Sequence, residues 1–343
     1  MTEIRPSIRP PERLLRQLGL RYVTASELSI RRRRNGSGFV YVNGSGRPLR
    51  DQRTLYRLKR LAVPPAYEDV LYAADPHAHL QAIGRDAAGR AQYRYHPDWE
   101  QVRELRKARR LARLAAALPR IRGWVSRHLA DRTPSRERAI AALVELVALT
   151  ALRPGSESYA RQHGTRGAAT LLKSNVRING ERIALRFTGK GGKPIEKEVR
   201  SRRLAMALRR LATLPGRRLF QYRNGDGAVL SLRRREVNAT LCEISGRTVS
   251  LKDFRTLIAS ASAIELLADI EPKPSARGRR RQLLETMRTV AAELANTPAV
   301  CRKSYVHAAV VAAFEAGELS NAGRRTAASR ERLLAKVLAR VTI

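Results

Sequence analysis

Polar and hydrophobic residues alternate with period two along much of the first hundred residues, a pattern that predicts β-strands. Residues 39–49 are predicted to form a hairpin, because β-favouring residues there are followed by the turn signal Asn43-Gly44. A second hairpin is predicted over residues 80–96. Residues 1–98 are therefore expected to form a small β-rich domain, whose proline- and arginine-rich beginning is partly extended.

The spacing of the apolar residues then changes to three and four, which predicts helices. The first covers residues 102–118, and Pro119 is expected to end it, because proline lacks the N–H that a helix interior needs. The next helix is expected to start with Thr133 as its N-cap and a proline at its first position. It should stop at a proline-glycine pair directly after Arg153, so that Arg153 lies at a helix end.

Three short strands are predicted over residues 175–178, 182–187 and 194–199, joined by turns that contain asparagine and glycine. Strands joined so closely pair as a small antiparallel sheet. Lys190 lies in the second, glycine-rich turn. An exposed lysine is ordinary in a turn, but the glycines would also let this turn approach a groove closely.

The remainder is predicted to be mainly helical. One helix opens at Ser250, and residues 271–282 are expected to form a basic, mobile loop because they are rich in proline and glycine. Thr297, followed by proline, starts a further helix that carries Tyr305. Residues 99–343 should therefore form a mainly α-helical domain containing the small sheet, and the whole chain an α+β fold.

The charge of the chain indicates which class of partner it binds. Lys and Arg number 68 against 30 Asp and Glu, giving a formal net charge of +38 over 343 residues. Positive charges at this density repel one another, which implies a polyanionic partner. Nucleic acid is favoured over a membrane because no stretch approaches the ~20 apolar residues of a span.

The N-terminus has no apolar signal region. Cys242 and Cys301 lack metal-ligand spacing, which excludes a zinc site and a disulfide framework and fits the cytoplasm.

Six residues at helix ends and turns suit one chemistry: Arg153, Lys190, Lys252, Arg255, Asn296 and Tyr305. A tyrosine on a short helix is most often a half-buried packing residue. Beside cations, however, its phenol, with an ordinary pKa of about 10, becomes easier to ionise and can attack a phosphodiester. Arginines clamp the phosphate oxygens, and a lysine can protonate the leaving 5′ oxygen.

Two further sets are candidates for DNA binding. Tyr93 and Tyr95 share one face of a predicted strand, and Gln92 and Arg90 accompany them. Tyrosine and arginine reach phosphates and glutamine reaches base edges, although an ordinary amphipathic strand is an equal alternative. The second set is the basic run Arg279, Arg280 and Arg281.

Five segments, in this order, resemble the type IB DNA topoisomerases, in particular their poxvirus-like and bacterial branch, which has a tyrosine recombinase-like catalytic fold. They are Leu152-Arg153-Pro154-Gly155 with Tyr159, residues 167–173, Phe187-Thr188-Gly189-Lys190, Lys252-Asp253-Phe254-Arg255-Thr256, and Asn296-Thr297-Pro298 through Tyr305. The strand Gln92-Tyr93-Arg94-Tyr95 is also similar to a DNA-contacting strand of the family. The resemblance covers about residues 20–320.

The resemblance implies roles for these residues. Tyr305 would form a 3′-phosphotyrosyl bond, Arg153 and Arg255 would stabilise the five-coordinate phosphate, and Lys190, assisted by Lys252, would be the general acid. Asn296 stands where many members have histidine, so it could donate a hydrogen bond but carry no charge. Its alternative role is to cap the helix that follows it.

The implied function is relaxation of supercoiled duplex DNA by a monomeric, two-domain clamp in the cytoplasm, at the nucleoid, with no metal, ATP or other cofactor. The alternatives are a tyrosine site-specific recombinase and a non-catalytic basic nucleic-acid-binding protein. Lys252 and the β hairpins favour the topoisomerase over the recombinase, whose second motif usually begins with histidine. The ordered set of candidate catalytic residues makes the non-catalytic reading the weaker one.

Overall fold

The computed structural model describes residues 12–319 and 327–342. The chain divides into two compact units, Met1–Arg106 and Lys107–Ile343, and their boundary falls inside one long helix, Trp99–Ala130. No helix in the described ranges is long and apolar enough to cross a membrane. The beginning of the chain, predicted to be partly extended, lies in part outside the described residues. Its residues Glu12–Gln17 form a helix, whereas residues 18–24 contain no helix and one β-bridge, from Arg21 to Ala78.

The described residues contain helices and strands in alternating groups. The helices are α1 Glu12–Gln17, α2 Gln52–Arg60, α3 Trp99–Ala130, α4 Arg136–Thr150, α5 Glu157–His163, α6 Arg202–Ala212, α7 Arg234–Ser245, α8 Leu251–Ala268, α9 Ala276–Glu293, α10 Pro298–Ser304, α11 Ala308–Glu315 and α12 Ala327–Thr342. The strands are β1 Ile30–Asn35, β2 Gly38–Val42, β3 Glu68–Tyr72, β4 Leu80–Arg85, β5 Ala91–Tyr95, β6 Val176–Asn179, β7 Arg182–Thr188, β8 Pro194–Arg200, β9 Gln221–Arg223 and β10 Val229–Ser231. The predicted α+β fold is confirmed.

The first unit is built on an antiparallel sheet of five strands in the order β2-β1-β3-β4-β5. Its core packs Ile30, Val70 and Tyr72 from the sheet against Leu58 of α2. The hairpin β4–β5 is the one predicted over residues 80–96. The hairpin predicted over residues 39–49 is present in short form: the chain turns over residues 43–46, Val42 bridges Pro48 in antiparallel fashion, and the Leu49 N–H donates to the Tyr41 carbonyl at 2.8 Å. The pairing of β2 with β1, which runs along the whole of β2, was not predicted.

The second unit surrounds α4, whose side chains are buried on nearly every face because it packs against α6, α8 and the small sheet. That sheet has the predicted three antiparallel strands in the order β6-β7-β8. Apolar residues on its inner face, including Ile183, Leu185 and Ile195, join the core. The helix α12 packs on α8 through Leu334 and Leu338 and closes the far side of the same core.

Two predicted helix boundaries are wrong for local reasons. Pro119 does not end α3, which runs on to Ala130, because Ile121 and Val125 continue the buried face and offset the one hydrogen bond that proline removes. The cap of α4 is Ser135 rather than Thr133, since the Ser135 hydroxyl accepts the Arg138 N–H at 3.1 Å.

The basic segment 271–282 was predicted to be a loop, yet it becomes helical from Ala276. The hydroxyl of Ser275 accepts the Gly278 N–H at 3.0 Å and so caps α9. The arginines that follow are good helix formers, which overrides the loop signal of the prolines before them. Arg279, Arg280 and Arg281 therefore lie on a helix.

Candidate active site

The start of α8 is fixed by a network around one carboxylate. Asp253 accepts hydrogen bonds from the backbone N–H and the hydroxyl of Ser250, both at 2.8 Å. Arg110 of α3 donates to the same carboxylate oxygen at 2.8 Å. This capping box confirms the helix predicted at Ser250 and holds the second turn of α8, where Arg255 lies, in a set orientation.

Arg255 ties together the ends of two helices. The residue is 3% exposed, and its guanidinium donates through Nη1 to the Ala151 carbonyl, at the end of α4, and through Nη2 to the Leu294 carbonyl, at the end of α9. Carbonyls at helix C-termini carry partial negative charge, so this position favours a buried cation. Burial nevertheless lowers the pKa of Arg255 to about 10, which leaves it charged at neutral pH.

The sequence predicted that Tyr305 lies within α10, but in the structure Tyr305 directly follows that helix. Its backbone N–H donates to the Cys301 carbonyl at 2.9 Å, and its carbonyl accepts from the Ser260 hydroxyl at 3.1 Å. Its ring centroid lies 4.8 Å from Cζ of Arg255. Because Ser260 and Arg255 are both on α8, this single helix holds the backbone and the ring of Tyr305.

The surroundings of Tyr305 act on its ionisation in opposite directions. Burial raises the pKa of the phenol, but the charge of Arg255 and the hydrogen bond and charge of Arg153 outweigh it. The net result is a pKa of Tyr305 below the ordinary tyrosine value. The two arginines thus favour the phenolate, which is the nucleophilic form.

Arg153 projects from a loop that two glycines allow to fold tightly. Its carbonyl accepts the Ala168 N–H at 2.8 Å, and a Cβ on Gly167 would lie 2.6 Å from that same carbonyl oxygen. Arg234 of α7 donates to the Gly155 carbonyl at 3.0 Å and supports the loop from its other side. The close approach at Gly167 is possible only without a side chain.

Asn296 is oriented by the end of α9. Its N–H donates to the Ala291 carbonyl at 2.9 Å, and Ala295 before it adopts the left-handed conformation with φ of 50°, which together form a Schellman motif. Its side-chain oxygen accepts from Nη2 of Arg153. The capping alternative is wrong, because it is the Thr297 hydroxyl that caps α10, accepting the Val300 N–H at 3.3 Å.

Two buried donors in this region have no hydrogen-bond partner among the described residues: Nδ2 of Asn296 and Nε of Arg255. Buried N–H groups are nearly always paired, so an unpaired couple marks a place where an acceptor fits. Arg255 lies against the ring of Tyr305, and Asn296 is hydrogen-bonded to Arg153, which is itself hydrogen-bonded to the phenol. An anionic oxygen would satisfy the two unpaired donors.

The two lysines are placed differently from the arginines. Lys190 is exposed in the turn Lys190–Gly192 between β7 and β8, as predicted, and Lys252 is exposed in the first turn of α8. Lys190 borders a cavity of about 20 Å³ that is also lined by Arg153 and Arg255. The structure thus brings Lys190 to the same cavity as the arginines.

Sequence reasoning missed three side chains here. Arg166 and Lys197 line the same cavity, and Ser260 holds the backbone of Tyr305. Lys197 had a signal: it alternates with Ile195 and Val199, so it lies on the inward face of β8, where lysine is unusual. Arg166 and Ser260 had none, because only the folded chain brings them to the site.

The remaining candidates lie elsewhere. In the first unit, Tyr93 and Tyr95 of β5 are about two-fifths exposed and stack at 6.1 Å between ring centroids. Gln92 and Arg90 of the same hairpin both donate to Asp86, at 2.9 Å. In the second unit, Arg279 donates to the carbonyls of Lys273 and Pro274 and Arg281 pairs with Glu285, while Arg280 is exposed.

Comparison with known proteins identifies the family of this chain. Residues 96–330 match the sequence model of the eukaryotic DNA topoisomerase I catalytic core, and residues 38–86 match that of the bacterial DNA topoisomerase IB N-terminal domain. The chain is also 30% identical over 284 residues to DNA topoisomerase 1B of Acanthamoeba polyphaga mimivirus, covering 81% of this chain and 84% of the viral protein. The chain belongs to the type IB DNA topoisomerase family.

A more distant viral relative agrees with this assignment. DNA topoisomerase 1B of vaccinia virus (strain Copenhagen) is 22% identical over 269 residues, covering 76% of this chain and 82% of the viral topoisomerase. Among solved structures, the XerH site-specific recombinase bound to difH substrate matches with a TM-score of 0.36 at 11% identity, over 56% of this chain and 49% of the recombinase. That structural similarity is too low to identify a shared fold.

Proposed function

We propose that this topoisomerase relaxes supercoiled duplex DNA by cutting one strand with Tyr305, letting the free end rotate and sealing the strand again. The observation that carries the proposal is the phenol of Tyr305, buried against Arg255 and with a lowered pKa. A nucleophile that is easier to ionise, next to fixed cations, suits attack on a phosphodiester.

The chemical step would exchange one ester for another. The phenolic oxygen of Tyr305 forms a bond to phosphorus while the bond from phosphorus to the 5′ oxygen breaks, which leaves a 3′-phosphotyrosyl linkage. Lys190, the general acid of the proposal, gives a proton to the departing 5′ oxygen, and Lys252 assists. Because the linkage keeps the ester energy, religation is the same exchange reversed and needs neither ATP nor a metal ion.

The transition-state charge would be held by donors that are already in place. Arg255 can offer its unpaired Nε–H to a phosphate oxygen while its other two nitrogens stay on the helix-end carbonyls. Asn296 can offer its unpaired Nδ2 while its oxygen orients Arg153. Donors fixed before the reaction stabilise developing charge without reorganising, which is the most effective form of electrostatic catalysis.

Double-stranded DNA is the proposed partner, bound by a monomer in the cytoplasm at the nucleoid. The exposed rings of Tyr93 and Tyr95, with Gln92 and Arg90 beside them, form one proposed contact surface. The basic first turns of α9, with Arg279, Arg280 and Arg281, form another. The net charge of +38 supports a partner of high negative charge. Closure of the two units around the duplex as a clamp is part of the same proposal.

A plasmid relaxation assay tests the function. Purified protein in EDTA and without ATP is expected to relax positively and negatively supercoiled plasmid, and denaturation during the reaction should trap protein joined to a 3′ end. A strict requirement for magnesium or ATP, or linkage to the 5′ end, would contradict the proposal.

A further inference from the structure

Lys197 lies on the inward face of the hairpin that carries Lys190. It pairs across the sheet with Leu185 and alternates along β8 with Ile195 and Val199, which face the core. A half-buried lysine at such a position loses hydration that its ammonium group normally keeps. It therefore needs a partner that compensates.

Its partner is the end of the helix that leads to Asn296. Nζ of Lys197 donates to the carbonyl of Glu293, the last residue of α9. The Schellman motif already occupies the neighbouring carbonyls, since Ala291 accepts from Asn296 and Ala292 from Ala295. The Glu293 carbonyl is left for the lysine, whose positive charge also suits a helix C-terminus.

This hydrogen bond joins two parts of the site that are about a hundred residues apart in sequence. On one side, Lys197 belongs to the β7–β8 hairpin whose turn presents Lys190. On the other, Glu293 directly precedes Leu294, which holds Arg255, and lies three residues before Asn296, which holds Arg153. Lys197 also lines the cavity that these residues share.

We propose that Lys197 is a positioning residue that fixes the Lys190 hairpin to the end of α9, and through it the Asn296 side chain, at the distance that cleavage requires. This role rests on the proposed function, in which Lys190 and Asn296 are catalytic. Burial, with the charge of Arg255 acting in the same direction, lowers the pKa of Lys197, which agrees with its place inside the site.

The test compares Lys197→Met, which keeps the length of the side chain but removes its donor, with Lys197→Arg, which can still donate. Lys193→Met, on the exposed side of the same turn, is the matched control. A displacement of about 1 Å can slow a reaction roughly 10²-fold, so Lys197→Met should form the covalent DNA adduct about 10- to 100-fold more slowly at saturating DNA. DNA affinity should change little, and Lys197→Arg and Lys193→Met should stay near the parent rate.

Coupling to Asn296 separates positioning from general destabilisation. If Lys197 acts through Asn296, the double variant with Asn296→Ala should be little slower than Asn296→Ala alone, because the two changes remove one shared effect. A loss of folding would lower the thermal midpoint and the fraction of active protein without this non-additivity. If Lys197→Met melts before assay temperature, the same cycle is measured at a lower temperature, below the thermal midpoint of the variant.

Two results would overturn the proposal. The first is a parent-like rate for Lys197→Met while the parent cleaves normally. The second is full additivity with Asn296→Ala. A parent protein that forms no adduct at all would instead contradict the proposed function.

Discussion

Two tyrosines of the second unit are equally buried and yet differ in chemistry. Tyr222 and Tyr305 are each 8% exposed. The hydroxyl of Tyr222 on β9 donates to the Glu236 carboxylate at 3.2 Å, and burial together with that negative charge raises its pKa. Tyr305 meets Arg255 and Arg153 instead, and its pKa is lowered although burial acts the other way.

The difference shows that burial does not make a nucleophile; the charge of the neighbouring groups does. Around Tyr222, the Glu236 carboxylate accepts the hydrogen bond of the phenol and, together with burial, outweighs the nearby Arg136, so that the neutral phenol is favoured. Around Tyr305, two helix ends hold an arginine against the ring, so the chain uses backbone carbonyls to keep a cation where it favours the phenolate.

Replacing each of the two tyrosines with phenylalanine should give the largest difference in DNA cleavage between two variants. Tyr305→Phe is expected to abolish the covalent adduct and plasmid relaxation while leaving DNA binding nearly intact, because only the attacking oxygen is lost. Tyr222→Phe, the matched control, should cleave normally and lose about 1 kcal/mol of unfolding free energy for its hydrogen bond to Glu236. Residual relaxation by Tyr305→Phe would move the nucleophile elsewhere, and Tyr159, whose ring packs on His163, would be examined first.

Replacing Arg255 should have the next largest effect on the cleavage rate. Arg255→Ala is expected to slow single-turnover cleavage by more than about 10³, because loss of one donor alone costs 10²–10³ and here a charge is lost as well. Arg255→Lys should recover only part of this, since one ammonium cannot reach two carbonyls and still face the phenol.

A matched control separates catalysis from folding. Arg138 of α4 is also buried, at 4% exposure against 3% for Arg255. Arg138→Ala should therefore lower the thermal midpoint without changing the cleavage rate at saturating DNA. Equal losses of cleavage in the two variants would mean that Arg255 acts only by stabilising the fold.

Asn296 should show a smaller but distinct effect. Asn296→Ala removes one donor to a phosphate oxygen and the acceptor that orients Arg153, so cleavage should fall roughly 10²–10³. Asn296→His should keep much of the rate and gain a pH dependence near neutrality, because imidazole titrates there and an amide does not.

The readout for Asn296 is single-turnover cleavage together with thermal unfolding. A large fall in thermal stability with the cleavage rate preserved would remove Asn296 from the catalytic set. The Thr297→Ala variant is the control, since Thr297 supplies the actual cap of α10 and should affect stability, by about 1 kcal/mol, rather than the chemical step.

The pH profile of cleavage tests the lowered pKa directly. Because the phenolate attacks, the rate should rise with pH and level off below the ordinary tyrosine pKa of about 10. Arg153→Ala should move the inflection to higher pH, since a hydrogen bond and a charge that favour the phenolate are gone. An inflection that stays in place in this variant would show that Arg153 does not act on the ionisation of Tyr305.

The sequence predicted much of this arrangement and failed where long-range contacts decide. The three-stranded sheet, the β4–β5 hairpin and the start of α8 follow from local alternation, turns and capping. The continuation of α3 through Pro119 does not, because core burial of Ile121 and Val125 overrides the local signal. The partners of Arg255 could not be predicted either: Ala151 and Leu294 are about 104 and 39 residues away in sequence.

The smallest expected effect concerns the backbone that holds the cation. Near Tyr222, the turn between β9 and β10 places a glycine, Gly227, at φ of 81°, whereas the two helix ends that hold Arg255 place alanines, Ala151 and Ala295, in the left-handed conformation with φ of 51° and 50°. A left-handed residue with a side chain costs roughly 1–2 kcal/mol, and glycine avoids this but loses about 0.4–1 kcal/mol through its freer unfolded state.

Ala295→Gly should therefore raise the unfolding free energy by roughly 0–1.6 kcal/mol, measured by denaturant titration. Cleavage should be unchanged if the Leu294 carbonyl keeps its place on Arg255. A more stable variant that cleaves more slowly would instead show that the stiffer alanine keeps the end of α9 in the geometry that Arg255 and Asn296 need. In that case the strain beside Tyr305, absent beside Tyr222, would itself contribute to the difference between the two tyrosines.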